Sequence, residues 1–200
     1  MTDTPPAIDA RHAALLVMDY QPGIISRLGD PETLIDRANQ AIALVRRRGG
    51  HVGYVRVAFS DADYEGVPAT SGMAALMAGA GDAFHADSPL TAVDPSMAPQ
   101  DGDIVVRKSR VGAFSTTDLD EQLRAREVDT LILAGISTSG VVLSTVRDAY
   151  DRDYRVLVLA DASADPDAEV HAFLTERVFP RQAQVLTVDD LVRLLSDGAA

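Results

Sequence analysis

An α/β fold, a three-layer α/β/α sandwich around a mostly parallel six-stranded sheet of Rossmann-like type, is predicted by two observations. Short β-branched and aliphatic runs alternate along the chain with segments of helical period. The runs are also nearly continuous in apolar residues, as strands buried on both faces are, and parallel strands need crossover helices that then cover those faces.

In order, Ala13 to Met18, His51 to Val57, Asp103 to Arg107, Thr130 to Ala134, Arg155 to Ala160 and Gln184 to Val188 read as the six strands, each flanked by polar or glycine breaks. Helical spacing places Pro31 to Arg48, Thr117 to Arg126, Gly140 to Arg152 and Asp167 to Val178 between them, with a short last helix after Asp189. Leu34, Ile35, Ala38, Ala41, Ile42 and Val45 form one apolar stripe. Arg46, Arg47 and Arg48 read as the solvated last turn of the first helix, stopped by Gly49 and Gly50. Only residues 59 to 100 break the alternation. That stretch is rich in Ala, Gly, Asp, Pro and Met, with at most a short helix around Met73 to Met77. A connection this long is expected to be a lid or an oligomer-interface segment, with surface decoration as the alternative.

With 200 residues, 46% hydrophobic and 24% charged, one globular domain over residues 1 to 200 is expected. A formal charge of −12 argues against binding the phosphate backbone of nucleic acids, which requires clustered cations. Without cysteine, disulfides, thiolate zinc sites and thiol catalysis are excluded. Met1 to Ala10 has neither a basic nor an apolar leader segment, and no stretch approaches the roughly 18 apolar residues of a membrane span. A cytoplasmic protein with no membrane partner is expected.

Ligands of open parallel sheets sit outside the carboxyl ends of the strands, where strand order reverses. Asp19, Lys108 and the turn Gly135 to Val141 stand at such ends. A carboxylate beside an ammonium in a dry cleft provides a proton acceptor or an anion clamp, and the first amides of the helix near Gly140 are donors for a developing oxyanion. Each also has a structural reading: Asp19 as a turn residue, Lys108 within a solvated basic loop with Arg107 and Arg110, and Ser137, Thr138 and Ser139 as helix caps.

Four ordered pieces carry more information than any single residue. Leu16-Val17-Met18-Asp19-Tyr20-Gln21, then Val106 to Arg110 with Phe114, then Gly135-Ile136-Ser137-Thr138 through Ala149, and finally Val158 to Ala162 span nearly the whole chain. In this order they resemble the isochorismatase-like hydrolase superfamily. The resemblance implies that Asp19 is the general acid or base of an Asp, Lys, Cys triad, that Lys108 supports it, and that Gln21 completes a D-x-Q pattern. It also implies a non-prolyl cis peptide at Ile136-Ser137, with the amides of Ser137 and Val141 forming an oxyanion hole. Substrate contacts are expected from Gln21, Arg56, Arg110, Phe114 and Thr138, with the two arginines as a carboxylate clamp.

At the position where the resemblance places the nucleophilic cysteine, the chain has Val141, which can neither attack a carbonyl nor be activated to do so. Ser139 and Ser144 are not equivalent replacements, and His171 is expected to be packed or exposed rather than catalytic. Nicotinamidase-like members of the superfamily bind a metal through an aspartate and histidines after the second strand. Here Arg56 to Pro68 offers Asp61, Asp63 and Glu65 without a histidine, so no metal or other cofactor is expected. Isochorismatases proper also work without a thiol, protonating a vinyl ether, a step that needs an acid. They usually have glycine where Val141 stands, so isochorismate is doubtful as the substrate and a smaller or differently shaped ester, enol ether or imine-like substrate is as plausible. The function implied is hydrolysis of a small anionic metabolite by Asp19 with Lys108. The alternative is a non-catalytic small-molecule-binding or regulatory protein on the same fold. A homodimer or homotetramer is the expected assembly.

Overall fold

The computed structural model describes residues 8–196. Strand β1 (Ala13–Met18) is followed by a single helical turn, α1 (Pro22–Ile25), and the long helix α2 (Pro31–Arg47). Pro31 stands at its first position and Gly49, at φ 77°, ends it in a left-handed conformation that glycine adopts at little cost. Arg46 in its last turn is not merely solvated, because it pairs with Asp103 and reaches the Tyr54 hydroxyl.

Strand β2 (His51–Val57) leads into helices α3 (Asp61–Gly66) and α4 (Gly72–Ala80). The 59 to 100 stretch therefore holds more helix than the short Met73 to Met77 piece expected. Ser60 and Asp63 close a capping box on α3 and Ser71 caps α4, side-chain signals that apolar periodicity overlooks. Next come β3 (Ile104–Lys108), α5 (Leu119–Arg124) and β4 (Thr130–Ile136). A π-helical turn over Thr138–Val142 then runs into α6 (Leu143–Asp151), so the predicted helix at Gly140 starts earlier and with a wider turn. Strand β5 (Arg155–Ala164), α7 (Ala168–Phe173), β6 (Gln184–Leu186) and α8 (Val188–Ser196) complete the order. β5 outlasts its apolar run by four residues, and Val188 belongs to α8 rather than to the last strand.

All five strand pairings are parallel, in the order β3-β2-β1-β4-β5-β6. The direction of the sheet reverses between β1 and β4, so a crevice opens at their carboxyl ends. One face carries α2 and α8, with Leu15, Val17, Ala38, Ile42 and Leu191 in its core. The other carries α5 and α6, with Leu16, Met18, Val106, Leu123 and Val146. A third, smaller cluster of Phe59, Met77 and Phe84 belongs to the 59 to 100 stretch and packs beside Ile24 and Val57. No helix among the described residues is long and apolar enough to cross a membrane.

Candidate active site

Asp19 directly follows β1, where its amide still bonds the Val55 carbonyl at 2.8 Å. Strict alternation would turn its side chain toward the α2 face with Leu15 and Val17. Its φ of 61° breaks that alternation. Aspartate is among the residues that tolerate this left-handed region best. The side chain meets Lys108, which shares the parity of Ile104 and Val106 on the opposite face of the sheet.

The Lys108 ammonium donates to three oxygens: Asp19 Oδ2 at 2.8 Å, the Val111 carbonyl at 2.8 Å and the Arg110 carbonyl at 3.2 Å. Three donors meet three acceptors, so the buried lysine is fully satisfied in its charged form. Asp19 Oδ1, by contrast, is buried and has no hydrogen-bond partner among the described residues. Burial pushes the Asp19 carboxyl up to about 6 despite the opposing pull of Lys108.

Asp19 and Lys108 lie at the floor of a cavity of about 510 Å³, together with Ile136, Ser137, Gly140 and Val141. The Ile136-Ser137 peptide is cis. Ser137 Oγ accepts from the Gly140 amide at 3.1 Å, so a Cβ on residue 140 would lie 2.8 Å from that hydroxyl. The Ser139 amide is occupied by Asp165 Oδ2 at 2.7 Å. Val141 is buried and forms part of the cavity wall without closing it.

Of the expected substrate contacts, only Arg110 lines the cavity. Gln21 is a brace: its amide donates to the carbonyls of Val57 (2.9 Å) and Thr91 (2.7 Å) and accepts from the Val57 amide (2.8 Å). Arg56 points to the Thr91 carbonyl at 3.4 Å instead of the cavity. Phe114 is buried against Tyr154, under the Arg152 guanidinium. Thr138 is fully buried and its hydroxyl lies 2.7 Å from His171 Nδ1, tying the π-helical turn to α7. His171 is thus packed, and burial holds its imidazole below the usual range.

Three sets of side chains are not marked by any signal in the sequence, although the lid expected of residues 59 to 100 already pointed to one of those segments. Arg27, exposed at the rim and 5.6 Å from the Phe84 ring centroid, enters the cavity lining, and so do Ile24 and Leu28 around it. The 59 to 100 stretch supplies Phe59, Met73, Leu76 and Phe84 to the same lining. The fold also brings His85 to 3.3 Å from Asp61. Asp63 is committed elsewhere: against the cost of burial, the Ser60 backbone amide and then the Arg107 guanidinium hold its carboxyl well below the usual carboxylate range. Among the described residues no three histidine, cysteine or acidic side chains converge as a metal-binding group.

This geometry can be set beside known proteins. Residues 13–190 match the isochorismatase domain. The chain belongs to the isochorismatase family. It is 33% identical over 198 residues to the uncharacterized isochorismatase family protein YecD of Escherichia coli O157:H7, covering 94% of this chain and 98% of that protein. It is 34% identical over 186 residues to the phenazine biosynthesis protein PhzD of Pseudomonas fluorescens, covering 92% and 87%. A crystal structure of a cysteine hydrolase from Pseudomonas syringae pv. phaseolicola superposes with a TM-score of 0.84 at 25% identity, covering 98% of this chain and all of that one. Within this family fold, the present chain has no cysteine with which to build a thiol nucleophile.

Proposed function

We propose that this family member hydrolyses a small anionic metabolite without a thiol, Asp19 acting as general acid and base and Lys108 holding it in place. The observation that carries this reading is the unequal bonding of the Asp19 carboxyl. Oδ2 is fixed by Lys108 at 2.8 Å, while Oδ1 is buried without a hydrogen-bond partner among the described residues, on a side chain that lines the cavity. A carboxyl raised to about 6 is protonated in a useful fraction of molecules near neutral pH, as a general acid must be.

Acting on an enol ether, Asp19 transfers the Oδ1 proton to the β-carbon of the substrate, whose C=C electrons form the new C–H bond. The resulting oxocarbenium ion is captured by water, which returns a proton to Oδ1. The hemiketal then splits into a carbonyl compound and an alcohol. Lys108 stabilises the carboxylate that exists between the two proton transfers, and its three acceptors keep it from wandering toward substrate. For an ester, the amides of Ser137 and Val141 are the proposed donors to the developing oxyanion, and Asp19 activates the water. Val141 stands where a thiol would otherwise attack and restricts the substrate beside it.

Product release from isochorismate, small amides, enol ethers and esters tests this reading in wild type, Asp19→Asn and Val141→Cys. Wild type is expected to turn over an enol ether or ester, and Asp19→Asn to lose about 10²- to 10⁴-fold in rate. Turnover of an amide by Val141→Cys alone, with wild type inert on every substrate, would mark the natural chain as a binding protein on the same scaffold.

A further inference from the structure

The cavity's cations divide into one that is spent and two that are not. Lys108 has its three acceptors within the protein. Arg27 and Arg110 also line the cavity, yet neither has an acidic partner among the described residues. Elsewhere Arg37, Arg46, Arg107, Arg124 and Arg152 each pair with an aspartate. What sets Arg27 and Arg110 apart is their place: both line the cavity, and no carboxylate among the described residues neutralises either. Arg110 uses one of its nitrogens on the Ser109 carbonyl at 2.6 Å, which fixes the group and leaves further N–H donors for a ligand. Arg27 lies 5.6 Å from the ring centroid of Phe84, itself part of the wall. Among the described residues the one acid that lines the cavity, Asp19, is already offset by Lys108.

The remaining wall is of opposite character. Ile24, Leu28, Phe59, Met73, Leu76 and Phe84 surround the space. A polar ligand body placed among them would give up water without gaining hydrogen bonds, whereas a ring or branched alkyl group would fill the space favourably. A volume of about 510 Å³ is in the range of small-molecule sites.

We infer that the site selects a monocarboxylate carried on an apolar body, the carboxylate held by Arg27 and Arg110 and the body packed against the wall built by α4 and the Phe59–Phe84 cluster. That this ligand is also the substrate, with its scissile bond presented to Asp19, rests on the hydrolase reading above; the recognition itself does not. Arg27 and Arg110 are then specificity-determining residues, and residues 59 to 100 set the shape of the body that is accepted.

Titration calorimetry of the full chain with phenylacetate, phenylacetamide and succinate tests the inference. Phenylacetate is expected to bind at least about tenfold more tightly than the isosteric amide or the polar diacid. Arg27→Gln and Arg110→Gln should each weaken phenylacetate about tenfold and leave phenylacetamide unchanged, while Leu76→Asp weakens both. Asp19→Asn keeps both arginines and should retain the preference for the acid. Circular dichroism of each variant checks that it is folded. Equal binding of acid and amide, tightest binding of succinate, no measurable binding by any of the three, or arginine variants that bind as wild type would each overturn the inference. Selective phenylacetate binding in a chain that turns over none of the enol ethers or esters would sink the hydrolase reading and leave the recognition intact.

Discussion

Lys108 Nζ stands 2.8 Å from Asp19 Oδ2 although their strands are not neighbours in the sheet, β2 lying between them. With roughly 4.8 Å between adjacent strands, the pair bridges about 10 Å of sheet, a gap that the four-carbon lysine stem spans and a shorter side chain would not. The side chains of Lys108 and Asp19 are only 2% and 7% exposed, so each depends on the other for compensation of its charge.

This dependence predicts a pH signature. If the protonated Asp19 carboxyl is the acid, kcat/KM falls as pH rises through about 6. In Lys108→Met the stabilising positive charge is gone, so the same limb moves to higher pH. A limb that stays put would remove Asp19 and Lys108 from the mechanism.

The same group shapes stability. Because the folded-state pKa is raised above that of an unfolded aspartate near 3.9, the folded chain binds more protons between that value and about 6. The Asp19 contribution to stability therefore declines as pH rises through this window and is level above it. Urea midpoints measured from pH 4 to 8 should show the slope in wild type, and Asp19→Asn should lack it.

Gln21→Ala leaves the amide and carbonyl of Val57 and the carbonyl of Thr91 without their side-chain partner. The expected loss is about 1 to 3 kcal/mol in denaturant unfolding, together with faster proteolysis within residues 59 to 100. Unchanged cleavage rates would show that the brace does not hold that stretch.

Gly135→Ala tests how closely β4 approaches its neighbours. An added Cβ would lie 2.9 Å from Val142 Cγ2 and 3.3 Å from Met18 Cβ. Overpacking of this kind costs about 1 to 3 kcal/mol, and the displaced π-helical turn should lower phenylacetate affinity in parallel. A thermal midpoint equal to wild type would mean that the turn yields without resistance.

Much of the fold was legible because burial on both sheet faces writes long apolar runs, and crossover helices write a 3.6-residue period. Strand ends were less legible. β5 continues through Asp161 to Ala164, where Ser163 Oγ accepts from the Gly135 amide at 3.2 Å, a polar contact that carries no apolar signal. The two helices after β2 begin at serine caps and pack only a small cluster of their own, so hydrophobic periodicity barely marks them. Within the candidate site, Asp19, Lys108 and the Ser137 to Val141 turn could be named because strand ends place them. Gln21, Arg56, Phe114 and Thr138 share the same segments but face Val57 and Thr91, Tyr154 and His171 rather than the cavity.

By itself the sequence determined the layered α/β architecture, the family and the lack of any thiol, since each depends on residue type and on order along the chain. Only the tertiary structure decided where the side chains point. One left-handed residue, φ 61° at Asp19, carries its carboxyl across the sheet to Lys108. The packing of residues 59 to 100 beside α1 then brings Arg27 and the apolar wall into the same cavity. Backbone dihedrals and contacts between distant segments leave no periodic mark in the chain, and here they set the chemistry of the site.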